Sequence, residues 1–234
     1  MVKKIGILCI AIGVCLLASA AGLIVYNKWE DKHAETASMQ ILHNVQEQLN
    51  EKAQESIPDT SKGDSADHEN QNTEVSSSDS DSAKIEPDYA VEVEPAAPSI
   101  PQMPTTKVDD YECIGILSIP VLNLELPVLT DWSYPKLKVA PCVYYGSYYE
   151  KDFVIAGHNY RAHFKRFPEL QSGDIILLTD VTGYVHYYEV VLLETLTDNA
   201  TEQMITSGFD LTLYTCTPGG GTGKVTVRCK SIDG

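Results

Sequence analysis

Three residues of this chain have the types and placement to carry nucleophilic chemistry: Cys216, His158 and Arg228. From Asp210 to Cys216, Leu211, Leu213 and Thr215 alternate with Thr212, Tyr214 and Cys216, the period of a strand with two distinct faces. Thr217-Pro218 and the glycines after them cannot continue that strand, so the thiol stands at its mouth. Lys224 to Lys230 reads as the returning strand, with Val225, Val227 and Cys229 on one side and Lys224, Thr226, Arg228 and Lys230 on the other. A hairpin here is expected to bring Arg228 back beside Cys216. A guanidinium in that place favours the thiolate and can hold a developing oxyanion.

The third group comes from Lys151 to Tyr160, a short, β-branched apolar run that stops at Gly157-His158-Asn159. His158 therefore also stands at a strand end. A cysteine at one strand end, a histidine at another and an arginine on a neighbouring strand are the material of a thiol acyl-transfer site.

These residues resemble the sortases, the cysteine transpeptidases of Gram-positive cell surfaces. The resemblance lies in Ala156-Gly157-His158-Asn159, in Thr212-Leu213-Tyr214-Thr215-Cys216 (the family's Thr-Leu-x-Thr-Cys), and in Arg228 twelve positions on. It covers residues 110–234, about half of the chain.

The elements that must position these groups follow from patterning. Strand-like runs punctuated by turn residues extend from Tyr111 to Lys230 with little helix between them, which points to an all-β closed barrel or sandwich. The resemblance implies the closed eight-stranded β-barrel of the sortases with short helices. Thr201 to Thr206 reads as one helical turn. The catalytic domain is placed at 111–234.

Ahead of it, Ile5 to Tyr26 holds no charged residue, long enough to cross a bilayer, and Lys3 and Lys4 favour a cytoplasmic N-terminus. Residues 1–27 are read as an uncleaved anchor. A cleaved signal peptide is the rival, because Ala18-Ser19-Ala20 resembles a small-residue cleavage site. Either reading puts the catalytic domain outside the cytoplasm, on the extracellular side of the cell membrane. Residues 28–110 read as an acidic, Ser/Pro-rich stalk. The chain's net charge is −16, and 27–110 alone holds 19 carboxylates against 6 lysines. Such a distribution argues against nucleic acid as a partner. Within the stalk, Ile41, Leu42, Val45, Leu49 and Ala53 recur at helical spacing behind Ser38, a pattern expected to fray in water when alone. From Ser56 to Asp110 too few apolar residues are present to offset the cost of ordering, so disorder is expected.

Each site residue has rivals. Cys9 and Cys15 lie in the apolar segment, and Cys113, Cys142 and Cys229 in predicted strands as buried thiols; an external location permits a disulfide among the last three. His163 competes with His158 on location, and His186 lies inside a strand among tyrosines. Arg161 and Arg166 sit in a loop region and read as surface charge beside Arg228. Thr215 is either a substrate-binding residue or a plain β-former. No Cys-x-x-Cys or His-x-x-x-His spacing calls for zinc.

The resemblance implies a mechanism. Cys216 attacks a backbone carbonyl in the sorting signal of another secreted protein, an LPxTG-like sequence. His158 exchanges the proton, Arg228 stabilises the oxyanion, and an amine of the cell-wall precursor or a pilin lysine resolves the thioester. No cofactor is needed, and no acidic cluster argues for the calcium that some sortases use. Pilus-building members usually carry an N-terminal lid with an Asp-Pro-aromatic motif; Glu86-Pro87-Asp88-Tyr89 departs from it. No long helical insertion separates Leu193 from Asp210. A hydrolytic cysteine peptidase and a non-catalytic peptide-binding surface domain are the readings from other classes.

Overall fold

The computed structural model describes residues 2–55, 102–197, 199–217 and 221–232. Helix α1 spans Val2–Glu55. Nine strands follow: β1 Thr106–Val108, β2 Tyr111–Ile119, β3 Leu124–Leu129, β4 Cys142–Tyr145, β5 Phe153–Ala156, β6 Ile175–Asp180, β7 Val185–Leu196, β8 Leu211–Cys216 and β9 Lys224–Ser231. Two short α-helices interrupt them, α2 Tyr134–Leu137 and α3 Thr201–Ile205.

The strands hydrogen-bond in the order β1-β2-β3-β4-β5-β8-β9-β7-β6, and β6 pairs back onto β2. That last pairing closes β2 to β9 into an eight-stranded barrel and leaves β1 as a short flap on β2. Closure removes the free sheet edges that would otherwise invite aggregation. Gly115 makes the closure sterically feasible. It sits at a bulge in β2, opposite Asp180 of β6, and an added Cβ would lie 2.1 Å from the Thr179 carbonyl oxygen. The bulge also resets the faces of β2. Ile114, Leu117 and Ile119 enter the barrel core, whereas Cys113 and Ile116 face outward.

The barrel interior is apolar and continuous. Phe153 and Ile155 of β5, Leu211 and Leu213 of β8 and Val227 of β9 are all fully buried in it. These are the inward positions of the period-two pattern, and they rigidify the strand ends that carry Cys216 and His158.

The stalk reading changes over its first third. Helix α1 runs unbroken to Glu55, and its second half is docked on the barrel. Ile41 and Val45 are buried against Val108, Ile116, Leu129 and Cys142. Gln48 Nε2 donates to the Lys107 carbonyl at 3.3 Å, Thr106 Oγ1 donates to Gln48 Oε1, and Lys52 Nζ donates to the Val181 carbonyl at 3.2 Å. A helix that would fray alone is stabilised by its apolar stripe finding a partner. The last part of the expected stalk is ordered as well, since Thr106–Val108 forms β1 and pairs with β2, while 56–101, and with it Glu86–Tyr89, lies outside the described residues. The N-terminal half of α1 is long and apolar enough to cross a membrane.

Candidate active site

Strands β5 and β8 run parallel, with Ala156 paired to Tyr214. The pairing extends one step further, since the Gly157 amide donates to the Tyr214 carbonyl at 3.0 Å. His158 and Cys216 therefore leave adjacent strands at the same level, two residues past that pair. Neighbouring strands are about 4.8 Å apart, so the two side chains project from adjoining backbone positions. Cys216 is exposed and His158 half-buried.

Gly157 is required by what covers the histidine turn. An added Cβ would lie 2.3 Å from the ring of Phe164, itself fully buried and stacked on Phe167 with centroids 4.2 Å apart. The Phe164 amide donates to the His158 carbonyl at 3.2 Å, which ties the loop back onto the turn. The imidazole of His158 stacks on the Tyr160 ring at 4.4 Å, with the planes within 15° of parallel. Burial lowers the His158 pKa below the usual imidazole range; Lys138 adds to this and the Glu30 carboxylate of α1 opposes it. Glu30 is itself held by Lys138 at 2.6 Å.

The register of the β8–β9 hairpin decides which cation faces the thiol. Cys216 is paired with Lys224, and Thr212 with Arg228. Four residues of strand separate the two pairs, about 13 Å at 3.3–3.4 Å per residue. The sequence reading put Arg228 beside Cys216; the register does not bring them together. Arg228 is instead buried, and its donors are taken up along the hairpin's base. Nε donates to Glu194 at 2.8 Å, Nη1 to Thr212 Oγ1 at 3.0 Å, and Nη2 to the Gln203 carbonyl at 2.8 Å. The cation at the thiol is Lys224, whose Nζ donates to Cys216 Sγ at 3.4 Å. A seven-residue connection, 217–223, closes on the pair 216/224 and not on 216/228. That count was available in the sequence.

Thr215 is also turned away. It points into the barrel, opposite in face to Cys216, and is buried. The rival residues are engaged elsewhere. His163 is fully buried, and burial pushes its pKa down to about 4. His186 lies 3.5 Å from Asp180, between Tyr148 and Tyr184. Arg166 is paired with Glu169 and donates to the Leu122 carbonyl. Cys113, Cys142 and Cys229 are free, buried thiols; burial raises the pKa of Cys113 and Cys142 to about 12. Among the described residues, Cys216 is the exposed thiol outside the apolar segment of α1.

Around the thiol the outer face of the sheet is aromatic. Tyr214 meets Tyr144 edge-on at 5.3 Å, and Tyr144 meets the half-exposed Trp132 at 5.5 Å. An exposed thiol beside an imidazole and a cation, on an aromatic floor, suits attack on a peptide carbonyl.

The family model described as "Sortase domain" matches residues 117–232. No curated protein matches the chain. Solved structures do. Streptococcus pneumoniae sortase C is 27% identical over 55% of this chain and 69% of its own, with a TM-score of 0.48. Clostridium perfringens sortase C, solved with a C-terminal cell wall sorting motif, is 26% identical over 52% of this chain and 71% of its own, at 0.45. Corynebacterium diphtheriae sortase A is 22% identical over 53% and 62%, at 0.48.

Proposed function

We propose, from the premise that residues 117–232 place this chain in the sortase family of cysteine transpeptidases, that it transfers the acyl part of a sorting signal onto a cell-wall amine. Cys216 is the nucleophile and His158 the general acid and base. The observation that carries this reading is the parallel β5–β8 pairing, which sets an exposed thiol and a half-buried imidazole at adjoining strand ends.

The reaction runs in two steps. The Cys216 sulfur bonds to the carbonyl carbon of the signal and the carbonyl electron pair moves to oxygen. The pair returns, the C–N bond breaks, and the amine leaves with a proton from protonated His158. His158 is then neutral, the form its burial favours, and takes the proton of the incoming amine as that amine displaces the thiol. The product is a new amide, and the Cys216 thiolate and protonated His158 are regenerated. The sorting signal is LPxTG-like and the acceptor an amine of the peptidoglycan precursor. The apolar half of α1 is the membrane anchor, with Lys3 and Lys4 on the cytoplasmic side and the barrel outside.

The test uses the full chain in detergent with a panel of Leu-Pro-x-Thr-Gly-like peptides, with and without oligoglycine, followed by mass spectrometry. A thioester on Cys216 and a peptide joined to oligoglycine are expected, and Cys216→Ala gives neither. Release of free acid alone, undiminished by oligoglycine, would make the protein a hydrolytic peptidase.

A further inference from the structure

Building on the reading of Cys216 as nucleophile, we propose that Lys224 is the cationic catalytic residue of this site and that Arg228 is a structural anchor. The distance is direct: Lys224 Nζ lies 3.4 Å from Cys216 Sγ. The placement is rigid. Lys224 opens β9 and is paired on one side with Cys216 of β8 and on the other with Leu196 of β7, so its backbone is held between two strands. The loop above it is fastened by the Thr217 amide on the Gly223 carbonyl at 3.0 Å and by Thr217 Oγ1 on the Gly221 carbonyl at 2.7 Å. Gly223 allows that closure, since a Cβ there would lie 3.1 Å from the Leu196 carbonyl oxygen. The ammonium also approaches the Tyr214 ring, 6.0 Å from its centroid.

The arrangement divides the two cations by task. Glu194, the carboxylate on this face of β7, is held by Arg228 Nε at 2.8 Å. With its other donors on Thr212 and two carbonyls of 203–204, Arg228 joins β7, β8, β9 and the α3 segment. Lys224 is half-exposed at the site's edge. An ammonium there balances the negative charge that resides first on sulfur and then on the carbonyl oxygen, without itself gaining or losing a proton. A lysine serves this as a point charge on a flexible stem, where an arginine would offer a fixed fork.

Two readouts on the full chain in detergent test this. The first is alkylation of Cys216 by iodoacetamide at neutral pH, followed by peptide mapping so that the other cysteines do not interfere. The second is acyl transfer to oligoglycine from the peptide panel. Lys224→Met is expected to slow alkylation by about tenfold or more and kcat by roughly 10²-fold, the usual loss for a transition-state donor. Lys224→Arg is expected to retain most of both rates, and both variants to keep the wild-type melting temperature. Wild-type alkylation and turnover in a folded Lys224→Met protein overturn the assignment. If the wild type alkylates but joins no peptide to any amine, the transpeptidase reading fails, and the alkylation ratio still decides whether Lys224 serves the thiol.

Discussion

His158 works in an environment that opposes its charge. Burial lowers its pKa, and Lys138 pushes the same way; Glu30 is the group that pulls it back up. Removing that carboxylate by Glu30→Gln lowers the imidazole pKa further, by loss of the attraction and by release of the Lys138 charge it held at 2.6 Å. NMR titration of the His158 ring is expected to move toward acid, with the limb of the kcat/KM profile that His158 sets following it; an unmoved titration would show that Glu30 does not reach the site. Gly157 gives a second residue-scale outcome. A methyl 2.3 Å from the Phe164 ring cannot be absorbed by a stacked, fully buried side chain. Gly157→Ala is therefore expected to cost roughly 1–3 kcal/mol by overpacking and to displace the histidine turn. Urea unfolding and the alkylation assay read the two effects separately. At this scale the sequence located the strand ends, with Cys216 closing β8 and His158 just past β5. It led to the expectation of Arg228 beside the thiol, whereas the seven residues 217–223 close the hairpin on 216/224 and set Lys224 there. Alternation with Cys216 puts Thr215 on the inward face, where it is buried.

The hairpin and helix α1 show what pattern alone does and does not fix at the scale of elements. Period-two alternation located β8 and β9 to within a residue or so, and Thr201–Ile205 forms the short helix expected between β7 and β8. The helical stripe at Ile41, Val45 and Leu49 was legible too. Its fate was not, because amphipathicity reports a buried face without naming its partner, and the acidic composition of the following residues argued for solvent. The partner is the outer side of β2 and β3, with Val108 of β1 and Cys142 of β4 in the same cluster. Val45 is fully buried there, so Val45→Asp places a charge in an apolar contact. Hydrogen exchange is expected to show residues 38–52 losing protection while the barrel strands keep theirs. Equal loss in both would mean that helix and barrel unfold as one unit. Arg228 belongs to this scale as well. Arg228→Met strips donors from Glu194, Thr212 and two carbonyls and is expected to cost about 3 kcal/mol or less, since Glu194 is 32% exposed and solvent relieves part of the loss. A lowered melting temperature with alkylation of Cys216 preserved is the outcome that fits an anchor.

The whole molecule converts one buried histidine into a dependence of stability on pH. The barrel closes over a dry interior, and the loop after β5 wraps back so that His163 is fully buried behind His158. Its pKa falls to about 4, chiefly from desolvation, with the neighbouring His158 adding to the effect. In the unfolded chain the same group titrates near 6.5. Between these values the unfolded state binds a proton that the folded state refuses. Stability is therefore complete above about pH 6.5 and is lost as the pH falls toward 4, by on the order of 3 kcal/mol. His158, shifted in the same direction, adds to the slope. The carboxyl groups with lowered pKa, Glu30, Asp131, Glu169 and Asp180, contribute stability that is lost only as the pH falls below their ordinary range, so they act at the acid end of this window. Urea unfolding of the full chain in detergent at pH 7.5, 6.5, 5.5 and 4.5 measures the slope. His163→Phe keeps a ring of similar size in the same place and removes the titration, so its stability is expected to change much less across the series. A variant that loses as much as the wild type would trace the acid sensitivity to the carboxylates. The dry interior around His163 does not accommodate its cationic form, and that sets a floor on the pH at which the histidine turn stays in place.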